Sequence, residues 1–169
     1  RVLGLRDCSV QRNNQKLLEE SGSTLLSEAL RSEVFQCAAS IADAVDYIGA
    51  GTVEFIFDVP SQAIYFMEMN TRLQVEHPVT EATTGIDIVA QQFRIASGES
   101  IEALAPSETG YAIEARINAE RAAQDALGNV TFQPTPGKIT RCELPEREGI
   151  TLISMAAADK RSEEHTSEL

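Results

Sequence analysis

The stretch TVEFIFDVPSQAIYFMEMN, residues 52–70, decides the fold. Thr52–Phe57 and Ile64–Met69 are rich in β-branched and aromatic residues, and Asp58, Pro60 and Ser61 interrupt them, which predicts an antiparallel hairpin. A ladder that sets Glu54 opposite Glu68 also sets Ile56 opposite Phe66, and alternation then projects Glu54, Ile56, Glu68 and Asn70 to one face. Two carboxylates facing each other across a ladder cost about 0.2–1 kcal/mol unless a cation lies between them. Mg²⁺ takes a few carboxylate or amide oxygens and completes its octahedron with water and phosphate, so Glu, Glu and Asn on an open sheet face suit nucleotide triphosphate chemistry. On spacing alone, the alternative is the solvent-facing side of an amphipathic sheet.

Beyond the hairpin, residues 70–78 read NTRLQVEHP. An extended chain puts Arg72, Gln74 and Glu76 on one side and Leu73 and Val75 on the other. Pro78 opens a helix whose first N–H groups can face an anion, and Arg72 adds a planar cationic fork. Glu76 beside a bound, protonated oxyanion could accept its proton. The alternatives are a surface ion pair for Arg72 and Glu76 and a capping or packing role for His77.

Leu26, Leu30, Val34, Ala38, Ile41, Val45 and Ile48 mark one face of a helix, with Ser27 as N-cap and Gly49 as stop. A strand is expected from Gln11 to Leu18, a short helix from Pro78, and a helix over Ile86–Ala96 that stops near Gly98. Glu99–Gly110 reads as a connection holding a subdomain boundary, and Tyr111–Asn118, Lys138–Leu144 and Ile150–Met155 read as strands. The fold class is α+β.

The chain has 169 residues, 43% of them hydrophobic, enough for a domain core. Its 14 Lys and Arg against 26 Asp and Glu give a net charge of −12, and the pI is about 4.6. That balance argues against nucleic acid or an anionic membrane as partner, so an anionic ligand needs a local basic pocket. Neither an apolar run of the roughly 18 residues a membrane span needs nor a leader is visible, so a cytoplasmic protein is expected, or a mitochondrial one in a eukaryote. Cys8, Cys37 and Cys142 lack the pattern of a disulfide framework or zinc site and read as free thiols. The first residue is Arg1 and a strand-like run follows at once, which suggests a fragment. RSEEHTSEL at 161–169 resembles the in-frame translation of a sequencing adapter and is set aside, His165 included.

GAGTVEF at 49–55 followed by FMEMNTRLQVEHPVTE at 66–81 closely resembles the biotin carboxylase branch of the ATP-grasp ligases. RDCSVQRNNQK at 6–16, AIEARINAE at 112–120 and PTPGKIT at 134–140 join it in the family's order. The resemblance implies an ATP-grasp C-terminal subdomain with antiparallel sheet and flanking helices over 1–104, and the start of the biotin carboxylase C-terminal domain over 105–160. It implies that Glu54, Glu68 and Asn70 hold Mg²⁺ or Mn²⁺ with ATP, and that Ile56 lies near the adenine. Gln11 and Asn14 fall on the nucleotide side; the family often has His at the position of Asn14. Lys16, Arg72, Gln74 and the Val75 backbone would bind bicarbonate, and Glu76 would be the base that activates it to form carboxyphosphate. Arg116 would hold carboxyphosphate and steady the biotin enolate.

The implied partners are a biotin carboxyl carrier domain and a carboxyltransferase, in a homo-oligomer serving an acyl-CoA, pyruvate or urea carboxylase. The family's glycine-rich lid precedes RDCS, so the isolated chain is expected to show little turnover. The polar stretch Arg121–Asn129 reads as a longer loop. Another ATP-grasp ligase such as a carbamoyl-phosphate synthetase shares the Glu/Glu/Asn set, but QVEHPVTE argues against it. An inactive scaffold domain is opposed by the presence of every motif residue.

Overall fold

The structure is a computed structural model that describes residues 1–12, 15–135, 137–141, 143 and 147–151 and the backbone of 161–162. Asn14, Cys142 and most of the expected strand Ile150–Met155 lie outside the described residues. The chain folds as two compact units, Arg1–Arg116 and Ile117–Glu168.

In the first unit, β1 (Arg6–Asp7), β4 (Leu18–Ser21) and β7 (Ile113–Ala115) form an antiparallel sheet in the order β1-β4-β7. β2 (Gln11–Arg12) and β3 (Gln15–Lys16) make a small hairpin before β4. The single strand expected from Gln11 to Leu18 is therefore corrected to a hairpin followed by a separate strand. Leu17 and Leu18 N–H both donate back to the Val10 carbonyl, which closes the hairpin before β4 begins.

α1 (Glu28–Ala44) starts where expected, since the Ser27 hydroxyl accepts from Leu30 N–H at 3.3 Å. It ends before Gly49, however. Val45 and Asp46 N–H turn back to the Ala42 and Asp43 carbonyls, and Asp46 takes a positive φ of 49°, a conformation that a short polar side chain tolerates.

β5 (Thr52–Asp58) and β6 (Ala63–Asn70) form the expected hairpin with Glu54 opposite Glu68. A register shift between Glu54 and Phe55 leaves Met67 as the extra residue of a bulge, so Ile56 faces Tyr65 rather than Phe66. Phe66 instead faces Phe55, and the rings meet edge to face at 6.3 Å. α2 (His77–Thr84) packs on β4 and β7 and ends at Gly85, whose φ of 68° forms a left-handed cap. α3 (Ile88–Ala96) starts two residues later than expected because Asp87 Oδ1 accepts from Ala90 N–H at 2.7 Å. Val34, Val79 and Ile88 are the unit's buried hydrophobic residues among those described.

In the second unit, Arg121–Asn129 is not a loop. β8 (Glu120–Gln124) pairs with β9 (Val130–Pro134), and Asp125 Oδ1 accepts from Leu127 and Asn129 N–H to make the turn. β10 (Gly137–Lys138) is shorter than the strand expected over Lys138–Leu144, and it pairs with a two-residue β11 (Arg161–Ser162) inside the tail where no period is legible.

Candidate active site

The bulged hairpin brings three oxygen-bearing side chains together. Asn70 Nδ2 donates to Glu54 Oε1 at 3.0 Å and to Glu68 Oε1 at 3.2 Å, so one amide group stands between the two facing carboxylates. Glu54 Oε1 also accepts from Lys16 Nζ at 2.6 Å and from Gln74 Nε2 at 2.9 Å. One carboxylate oxygen thus collects donors from β3, β6 and the turn before α2. Among the described residues no group of three His, Cys, Asp or Glu side chains is arranged to hold a metal ion. Glu54 and Glu68 converge on the Asn70 amide nitrogen, and the two carboxylates with the Asn70 carbonyl oxygen are hard oxygen donors of the kind that Mg²⁺ or Mn²⁺ takes.

Lys16 joins this set to Glu76, donating to Glu76 Oε1 at 2.9 Å. The other oxygen of Glu76, Oε2, accepts from Arg116 Nη2 just past β7. The Glu76 side chain is 3% exposed. Burial raises the carboxyl pKa, but the hydrogen bond from Lys16 and the charges of Lys16 and Arg116 outweigh it, so Glu76 titrates below the usual carboxylate range. Lys16 moves the opposite way from an ammonium that is merely buried. Burial lowers its pKa, yet the hydrogen bonds to Glu54 and Glu76 raise it above the ordinary value.

Not every residue expected at the site joins the network. The 70–78 segment is not extended: it bends at Arg72 and turns at Val75–Glu76, because Glu76 occupies the N-cap position of α2. Gln74 and Glu76 are buried, while Arg72 and Val75 are exposed and Arg72 Nη1 donates only to the neighbouring Leu73 carbonyl at 3.4 Å. Ile56 lies exposed on β5, and exposed Gln11 donates to the Cys8 carbonyl at 2.9 Å. His77 Nδ1 donates to the Gln74 carbonyl at 2.8 Å, a local bond that shapes the turn.

Four further residues shape the site without having been singled out from the sequence. Arg6 bonds Glu19, Gln74 and Thr80, and Glu114 lies 3.8 Å from Arg116 and directly across the ladder from Glu19. Burial raises the pKa of both glutamates, with Arg6 opposing the shift in Glu19 and Arg116 opposing it in Glu114. Arg6 opens the RDCS motif, but no spacing rule links it to Gln74, which lies 68 residues away.

Residues 2–104 match the family described as carbamoyl-phosphate synthase L chain, ATP binding domain. The chain is 47% identical over 159 residues to a biotin carboxylase of Nostoc sp., covering 93% of this chain and 34% of that protein. A crystal structure of a Campylobacter jejuni biotin carboxylase in complex with β-γ-ATP superposes with TM-score 0.81 at 42% identity, over 92% of this chain and 33% of that one. The biotin carboxylase domain of the Hydrogenobacter thermophilus 2-oxoglutarate carboxylase, a dimer in complex with MgADP, ADP and bicarbonate, gives 0.81 at 43% identity over 94% and 34%. The chain thus spans about a third of the length of these relatives. No helix among the described residues is long and apolar enough to cross a membrane. Motif order, α+β architecture and an ATP-grasp match over most of the first unit agree, and the chain belongs to the carbamoyl-phosphate synthase L chain, ATP binding domain family, with similarity to biotin carboxylases along nine-tenths of its length.

Proposed function

We propose that the chain supplies the metal, bicarbonate and base groups of a biotin carboxylase, an ATP-dependent ligase that carboxylates biotin carried on a partner domain. The observation that carries this reading is the pair of contacts on Glu76: Lys16 ties one oxygen to the Glu54 carboxylate, and Arg116 holds the other. A base, an anion-binding cation and the candidate metal ligands thereby form one connected floor.

Glu54, Glu68 and Asn70 would hold Mg²⁺ or Mn²⁺, which when bound offsets the negative charge of the ATP phosphates. Lys16, Gln74, Arg72 and the Val75 N–H hold bicarbonate. Glu76 accepts the bicarbonate hydroxyl proton as that oxygen bonds to the γ-phosphorus and the bond to the β-phosphate oxygen breaks, releasing ADP and forming carboxyphosphate. Arg116, which contacts Glu76 and lies near Glu114, would hold this triply anionic product while its carboxyl group passes to the biotin ureido nitrogen and the phosphate leaves with that nitrogen's proton. Ile56 lies on the adenine side, with Gln11 and Asn14 toward the nucleotide.

Residues 1–104 would be the ATP-binding subdomain and 105–160 the start of the C-terminal domain. The whole enzyme is a homo-oligomer in the cytoplasm, or in mitochondria in a eukaryote, working with a carrier domain and a carboxyltransferase in an acyl-CoA, pyruvate or urea carboxylase. Incubating the full-length enzyme with radiolabelled bicarbonate, Mg·ATP and free biotin should yield acid-labile labelled biotin. ATP cleavage without labelled biotin would overturn the assignment.

A further inference from the structure

Arg6 makes more side-chain bonds than a surface arginine has reason to make. Its Nε donates to Glu19 Oε1 at 2.8 Å, its Nη1 to Thr80 Oγ1 at 2.8 Å and its Nη2 to Gln74 Oε1 at 2.7 Å. The three acceptors come from β4, α2 and the turn before α2, and they are 4%, 5% and 5% exposed. The Arg6 side chain is itself only 13% exposed. A guanidinium has five N–H donors in a rigid fork, and here that fork spans three buried groups at once.

The consequence falls on Gln74. A primary amide can present either its carbonyl or its NH₂ group to a given neighbour. With Arg6 donating to Oε1, the Nε2 group must point the other way, and it does, meeting Glu54 Oε1 at 2.9 Å. An NH₂ group carries two donors, so one serves Glu54 and the second is available to an anion. Were the amide reversed, its carbonyl oxygen would face that anion and repel it.

Resting on the bicarbonate reading above, we propose that Arg6 is a positioning residue that locks the Gln74 amide with its NH₂ group turned toward the anion site, so that Gln74 meets the substrate as a donor. Glu19 is its counter-anchor. With one oxygen taken by Arg6 Nε and Oε2 buried without a hydrogen-bond partner, Glu19 holds the guanidinium by one nitrogen while another, Nη2, reaches Gln74. Thr80 sets the fork against α2.

The test is a double-mutant cycle in the full-length enzyme, reading the KM for bicarbonate and kcat for bicarbonate-dependent ATP cleavage. Arg6→Lys keeps the charge beside Glu19 but loses the fork, and it should raise the bicarbonate KM about tenfold or more, the size of one charge-assisted hydrogen bond, with kcat changed only a few-fold. In a Gln74→Ala background the same change should raise KM less than about twofold, because the group it positions is gone. An unchanged KM in Arg6→Lys, or effects of the two changes that multiply in full, would overturn the role of Arg6. If Gln74→Ala itself leaves the bicarbonate KM unchanged, the bicarbonate reading of the site falls, and this inference with it. Should Arg6→Lys fail to fold, Arg6→Gln combined with Glu19→Gln replaces the buried ion pair by two neutral amides and carries the same expectations.

Discussion

Glu76 is a structural anchor between Lys16 and Arg116, and under the proposed function it is also the base. It is held ionised by Lys16 and Arg116, so at neutral pH it is ready to accept a proton, and one of those contacts must loosen when it does. Glu76→Gln keeps the shape and removes proton acceptance; it should slow bicarbonate-dependent ATP cleavage by roughly 10² to 10⁴ while ATP affinity, read by titration calorimetry, stays within a few-fold. A rate within a few-fold of the parent at saturating bicarbonate would remove Glu76 as the base. The same pairs set a pH window for stability. The folded pKa of Glu76 lies below its unfolded value, so its contribution is full above the unfolded pKa of about 4.3 and is lost as pH falls through the folded value. Lys16 is shifted upward, so its contribution is full below about 10.4 and is lost as pH rises through its folded value. Urea midpoints at pH 3.5, 7 and 11, which lie below, between and above these limits, should show Glu76→Gln losing about 3–5 kcal/mol at pH 7 and less at the acid end. The residue types of this site were legible because GAGTVEF and RLQVEHP carry them in order. Arg6 and Glu19 were not, since their partners are brought close only by the β1-β4-β7 sheet.

At the scale of elements, the hairpin and the three helices could be read from β-propensity, apolar period and caps, while the stop of α1, the start of α3 and the small hairpins could not. α1 stops a turn early because Asp46 accepts a left-handed conformation before Gly49 is reached, a choice that period cannot foretell. The bulge at Met67 has no composition signal either, yet it decides which ring meets Phe55. β8 and β9 hold together through an Asp125 turn within a polar stretch that lacks alternating hydrophobicity. Gly85 is the position where an element's end matters most to the site, since it closes the helix that begins at Glu76. Nothing lies within 4 Å of a Cβ built there, so Gly85→Ala meets only the backbone strain of a φ of 68°. It should destabilise the protein by about 1–2 kcal/mol, read as a lower urea midpoint with unchanged slope.

For the molecule as a whole, the net charge is −12, and under the proposed function Lys16 and Arg116 would be the means by which an acidic protein admits an anion. Glu68 and Ile56 are exposed, so the floor lies open on the side proposed to face the nucleotide. The 169-residue chain alone is therefore expected to give no biotin- and bicarbonate-dependent phosphate release in a coupled assay, and robust dependent turnover would contradict this. Chelating divalent cations with EDTA should abolish ATP binding by the full-length enzyme, and excess Mg²⁺ should restore it. The sheet that orders these groups also imposes a timetable. Ala112 N–H donates to the Ser21 hydroxyl across 91 residues of sequence, and Arg116 follows only after that closure. At roughly 5–20 residues per second of synthesis, β4 waits about 5–20 s on the ribosome before its second neighbour exists. During that interval its open edge carries Glu19 and Glu20, charges that discourage a neighbouring nascent chain from adding a strand where β7 will dock.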